Sequence, residues 1–134
     1  MYRTATAFLA AVLTLIAAPL ASAHHSFAAE FDANSPFDFS GTVTKVEWAN
    51  PHTFFYIDVT NAKGEIENWA LEMGSPNGLM RRGWTRDSMK IGDVVTVVGS
   101  RAKDGSFKGN ARSVTLSGGK RLFAGSSQEN AEAN

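Results

Sequence analysis

Three histidines carry most of the chemistry this chain can offer: His24, His25 and His52. Imidazole is the commonest protein ligand for copper and zinc, and it also serves as an acid or base near neutral pH. The spacing gives one adjacent pair and one distant partner. His52 follows Trp48-Ala49-Asn50-Pro51, and Asn-Pro is a turn signal whose proline biases Asn50 away from helix. His52 therefore stands at a rigid corner between two runs of β-branched and aromatic residues, 41–47 and 53–59, that read as strands.

The adjacent pair acquires its meaning from the preceding residues. Residues 1–23 read as a secretory signal peptide: Arg3 starts it, Ala7–Ala18 is apolar but short for a membrane span, Pro19 breaks it, and Ala21-Ser22-Ala23 is a small-residue cleavage pattern. Cleavage after Ala23 makes His24 the mature N-terminus and leaves no stable membrane span. An exported protein, periplasmic or secreted from a bacterium, is the expectation.

A terminal histidine chelates through its α-amine and its own ring. His24 then offers two nitrogens, and His52 or His25 the third, in a T-shaped histidine brace that favours Cu(II). An Xaa-His terminus also holds Cu(II) through amine, amide and the His25 ring. Zinc on His25, His52 and a carboxylate such as Glu72 or Asp58 ranks below copper. Met73, Met80 and Met89 read as packing residues rather than ligands.

Composition narrows the other classes. The chain has 134 residues, no cysteine, and 13 basic against 13 acidic side chains. Disulfides, thiolate metal sites and cysteine nucleophiles are excluded. Loss of Arg3 with the leader leaves one more acid than base, so the basic excess of a nucleic-acid binder is missing. No G-x-S-x-G elbow, P-loop or dinucleotide glycine pattern occurs, and the residues suggest a binding protein rather than an enzyme.

The elements that position these residues are mostly strands. Residues 24–38 read as an extended arm whose Phe27, Phe31 and Phe37 pack on the domain, with a short helix allowed at Ala28–Asp32. The domain is expected over 39–123. Strands are expected at Phe39–Trp48, with a bulge between Val43 and Val46, at Thr53–Thr60 and at Glu65–Met73. Ser75-Pro76 predicts an N-capped short helix with Leu79, Met80 and Trp84 on one face. Strands follow at Asp93–Arg101, whose valines 94, 95, 97 and 98 suggest burial on both faces, and at Phe107–Leu116. Lys120–Phe123 is an edge segment, and the small, polar residues 124–134 read as a disordered tail.

This order, β-β-β-α-β-β, predicts an all-β domain with one short helix: a small five-stranded OB-like Greek-key barrel. Another small barrel or a β-sandwich is the alternative. Such barrels bind ligands across strands two and three, where Trp48, Phe54 and Tyr56, with Glu72, form a candidate stacking face for an envelope protein or polymer. Acidic neighbours there argue against nucleic acid. Arg81, Arg82 and Arg86 form a candidate contact for an anion or partner.

Several motifs occur in order: His24-His25-Ser26-Phe27, Glu47-Trp48-Ala49-Asn50-Pro51-His52, Trp69-Ala70-Leu71-Glu72, Ser75-Pro76-Asn77 with Arg82-Gly83-Trp84, and Gly92-Asp93-Val94-Val95. In these the chain, from His24 to Phe123, resembles an uncharacterised exported bacterial family, domain of unknown function 6152. The resemblance implies a small exported β protein and no particular activity.

Overall fold

The computed structural model describes residues 27–126. A one-turn helix α1 (Phe27–Glu30) leads into β1 (Phe31–Glu47), followed by β2 (Phe54–Thr60), β3 (Ile66–Glu72), helix α2 (Pro76–Met80), β4 (Val94–Ala102), β5 (Lys108–Thr115) and β6 (Arg121–Phe123). The sheet order is β3-β2-β1-β4-β5-β6, and a parallel pairing of β3 with β5 closes it into a ring. This closure pairs Ala70–Glu72 with Lys108–Asn110 and so covers part of the edges that an open sheet would expose. The helix lies between the third and fourth strands, as the OB-like reading requires, and β6 adds a sixth strand at the edge of β5.

β1 organises the barrel by serving two neighbours. It pairs with β4 from Phe31 to Thr42 and with β2 from Thr42 to Glu47. A register shift between Val43 and Lys45 marks the expected bulge, where the strand bends from one partner to the other. Gly41 sits at the crossing, and a Cβ there would lie 2.6 Å from the Asp58 carbonyl oxygen, so only glycine allows the approach. Phe37 packs over Gly99 of β4 and Gly109 of β5, and a Cβ on Gly99 would come within 2.8 Å of its ring. These glycines make the room that buries Phe37 at 4% exposure.

The core follows strand alternation. Phe55, Ile57 and Val59 of β2, Trp69 and Leu71 of β3, and Val95 and Val97 of β4 point inward with Leu79, Trp84, Val114 and Leu122. Ser75 caps α2 by accepting the Gly78 amide at 3.2 Å, and Pro76 occupies its first turn. Gly83 leaves the helical segment at a φ of 93°.

Some expectations shift. The first strand starts at Phe31, so residues 31–38 of the expected arm are barrel strand, with Phe31 buried at 2% exposure. The short helix allowed at Ala28–Asp32 is present as α1 but lies at Phe27–Glu30, so Phe31 and Asp32 belong to the strand instead. Val94 is exposed and Val98 half-buried, because β4 alternates like the other strands instead of being covered on both faces. Met80 is also exposed, since α2 ends there and only Leu79 of the pair reaches the core. Beyond Phe123, Ala124 and Gly125 are buried, and the Ala124 amide donates to Arg112 O at 2.8 Å while its carbonyl accepts from Gly74. The start of the expected tail is therefore part of the domain; residues 127–134 lie outside the described residues.

Candidate functional site

The corner before β2 is held by main chain on both sides of His52. The Asn50–Pro51 peptide is cis. Thr53 donates its amide to Gly74 O at 3.0 Å and accepts the Met73 amide at 2.8 Å, which ties the loop to the end of β3. His52 is half-buried, and its Nδ1 lies 3.2 Å from the Met73 carbonyl oxygen. A carbonyl can only accept, so this bond requires a proton on Nδ1, and in the neutral tautomer it is Nε2 that keeps its lone pair. Imidazoles oriented in this way are the usual form of metal-ligating histidine. Glu72 Oε1 stands 3.8 Å from Nδ1.

His52 lines a cleft of about 880 Å³. Ala49, Pro51 and His52 of the β1–β2 loop form one wall, Lys103 and Asp104 of the β4–β5 loop another, and Phe54 and Glu72 belong to the neighbouring strands. Glu30 from α1 and Lys108 from β5 also face it and form an ion pair with one another. Lys108 Nζ lies 5.8 Å from the Phe31 ring centre and 5.7 Å from that of Phe54, so one cation ties the first strand to the second. The Lys103 amide donates to Glu30 O at 2.9 Å, and its ammonium donates to Ala28 O. The segment entering the domain thus runs along the cleft that holds His52.

Glu47 also lines the cleft. Its hydrogen bond from Lys45, then that from Tyr56 Oη at 3.0 Å, hold its carboxyl below the usual carboxylate range. Burial, followed by the bond to Glu47, pushes the Tyr56 phenol up. Asp104 is held low by the Ser106 hydroxyl and amide.

The expected aromatic trio is divided. Phe54 faces the cleft, Tyr56 stands beside Lys45 and Glu47, and Trp48 packs half-buried against the core. Asp58 lies apart from His52 and accepts from Asn68 at 2.7 Å. Arg82 donates to the Gly125 carbonyl and lies 4.6 Å above the Phe123 ring, while Arg81 and Arg86 are exposed. Met73 and Met89 are buried. His24 and His25 lie outside the described residues, among which no group of three or more histidines, cysteines or carboxylates is placed to hold a metal. Glu30, Lys103, Asp104 and Lys108 were not legible as site residues. The Asp104-Gly105 turn was, but not its approach to the His52 loop.

Among the described residues no helix is long and apolar enough to cross a membrane. The chain belongs to a family of unknown function, DUF6152, whose model matches residues 12–112. No curated protein matches it.

Proposed function

We propose that this DUF6152 chain is an exported protein that binds Cu(II) between its mature N-terminus and the β1–β2 loop. His24 supplies its α-amine and ring nitrogen, and His52 supplies Nε2. The observation that carries the reading is a shared wall: Ala29 and Glu30, shortly after the histidine pair in sequence, line the same cleft as His52. Phe27–Glu30 is helical, so the stretch that can extend runs from His24 to Phe27 and reaches on the order of 10 Å, comparable with the width of a cleft of this size. The hydrogen bond that puts the His52 proton on Nδ1 supports Nε2 as the ligating atom. Nitrogen donors in a plane favour Cu(II) over the other common divalent ions. Zinc on His25, His52 and Glu72 is the lesser form of this reading, and Asp58 drops out of it because it sits with Asn68.

The test is a Cu(II) titration of protein recovered through its native export route, with the N-terminus checked by intact mass. A tight one-to-one complex with a nitrogen-rich EPR spectrum that changes in His52→Ala supports the site. A spectrum unchanged by that substitution reduces the site to an Xaa-His terminus. A mature chain that does not start at His24 removes the brace.

A second reading, a module that contacts an envelope protein or polymer, is favoured by Phe54, an aromatic ring left at the cleft wall. It predicts tolerance of an N-terminal extension and loss of function in Phe54→Ala.

A further inference from the structure

β1 and β2 part company partway along the barrel. Their last pair is Thr42 with Asp58, yet β2 continues with β3 to Thr60 and Ile66, while β1 continues with β4 to Phe31. Between the diverging strands lies a second cleft of about 660 Å³, within the range of small-molecule sites. No histidine lines it, so it is independent of the copper reading.

Its floor is aromatic. Phe39 lies 4.9 Å from Trp69 between ring centres, and Trp69 lies 5.5 Å from Phe107. Trp69 is buried, but Phe107 is 50% exposed, an apolar ring left at the rim of a polar cleft. The walls carry both signs: Asp32 and Asp38 on β1 face the cleft with Arg101 at the end of β4. Glu67 is already engaged, accepting from Asn61 and from the Trp69 indole at 3.1 Å each. It holds the floor in place rather than meeting a ligand.

This pattern selects a ligand class. A cationic ligand would seek the face of Trp69, but the Arg101 guanidinium already lies 5.1 Å above that ring. An anion would meet Asp32 and Asp38. A hydroxyl both donates and accepts, so a polyol satisfies carboxylates and guanidinium alike. The apolar C–H face of a pyranose matches an exposed aromatic ring. We propose that this cleft binds a neutral saccharide, stacked on Phe107 and hydrogen-bonded by Asp38 and Arg101.

The test follows the Trp69 indole N–H and the Arg101 amide by NMR in the full mature chain. Titrants are cellotetraose, maltotetraose and the N-acetylglucosamine tetramer at millimolar concentration, with tetralysine as the cationic comparison. The expected result is saturable shifts of both signals with at least one saccharide, weakened about tenfold in Phe107→Ala. Asp38→Asn, which leaves the aromatic floor intact, weakens the same shifts. The proposal is overturned if no saccharide moves these signals, if tetralysine alone does, or if the shifts survive both substitutions unchanged.

Discussion

The imidazole of His52 donates from Nδ1 to the main-chain carbonyl of Met73 at 3.2 Å. Because the acceptor is backbone at the end of a paired strand, the ring is oriented by the fold and not by a mobile side chain. The bond commits Nε2 to being the nitrogen available to a ligand. The same carbonyl belongs to the residue whose amide donates to Thr53 O, so loop and strand fix the ring together.

Substitution of His52 is expected to weaken Cu(II) binding by more than about tenfold, since even removing a group that merely orients a ligand costs that much. Competition titration against a chelator of known affinity measures the change. Equal affinity in wild type and His52→Ala would exclude this residue from the site.

Adding one residue before His24 displaces the α-amine that the brace needs. Such a chain is expected to lose its original copper spectrum while keeping its fold. Retention of the same EPR parameters would remove the amine from the ligand set.

Thr53 Oγ1 is buried without a hydrogen-bond partner among the described residues. Thr53→Val removes that cost and is expected to stabilise the domain by about 1 kcal/mol, read from the urea midpoint at constant m. A loss of stability would show that the hydroxyl is satisfied in solution.

The depressed Glu47 carboxyl has a definite sign in pH dependence. A folded value below the unfolded one means that its stabilising contribution is present above the ordinary glutamate range and is lost as pH falls through the lowered value. Lys45 and Glu47 are well exposed, so salt screens much of the effect. Tyr56→Phe removes one of the two hydrogen bonds and should raise the Glu47 titration midpoint toward ordinary glutamate, followed by carboxyl NMR. An unchanged midpoint would mean that the Tyr56 bond does not persist in solution.

Arg82 holds the last described segment through Gly125 and Phe123. Arg82→Ala is expected to destabilise the domain by about 1 kcal/mol. It should also speed hydrogen exchange at the Gly74 amide, which donates to Ala124 O at 2.8 Å. Exchange at the wild-type rate would show that the segment stays docked without the arginine.

Much of the barrel was legible because each inner face repeats every second residue. Phe55, Ile57 and Val59 alternate visibly, and burial of that face leaves one register available. Ser75-Pro76 and the Asp104-Gly105 turn were legible because capping and positive φ demand particular residue types. Ala124 and Gly125 were not, because small residues that fill a gap carry no hydrophobic signal. Phe31–Asp38 lacked regular alternation, since this half of β1 pairs with β4 only, through a register shift between Asp32 and Pro36.

By itself, the sequence determined the order of strands and helix along the chain, the capped helix, the corner at Asn50-Pro51 and the residue types with ligand chemistry. These depend on local stereochemistry and on the two-residue period of a half-buried strand. Tertiary structure alone decided which residues share a cleft. Closing β3 against β5 brings Lys108 alongside Ala70, and the β4–β5 loop comes to face His52 across a separation in sequence that no local rule encodes. The divergence of β1 from β2, which opens the second cleft over Trp69 and Phe107, likewise depends on where one long strand changes partners.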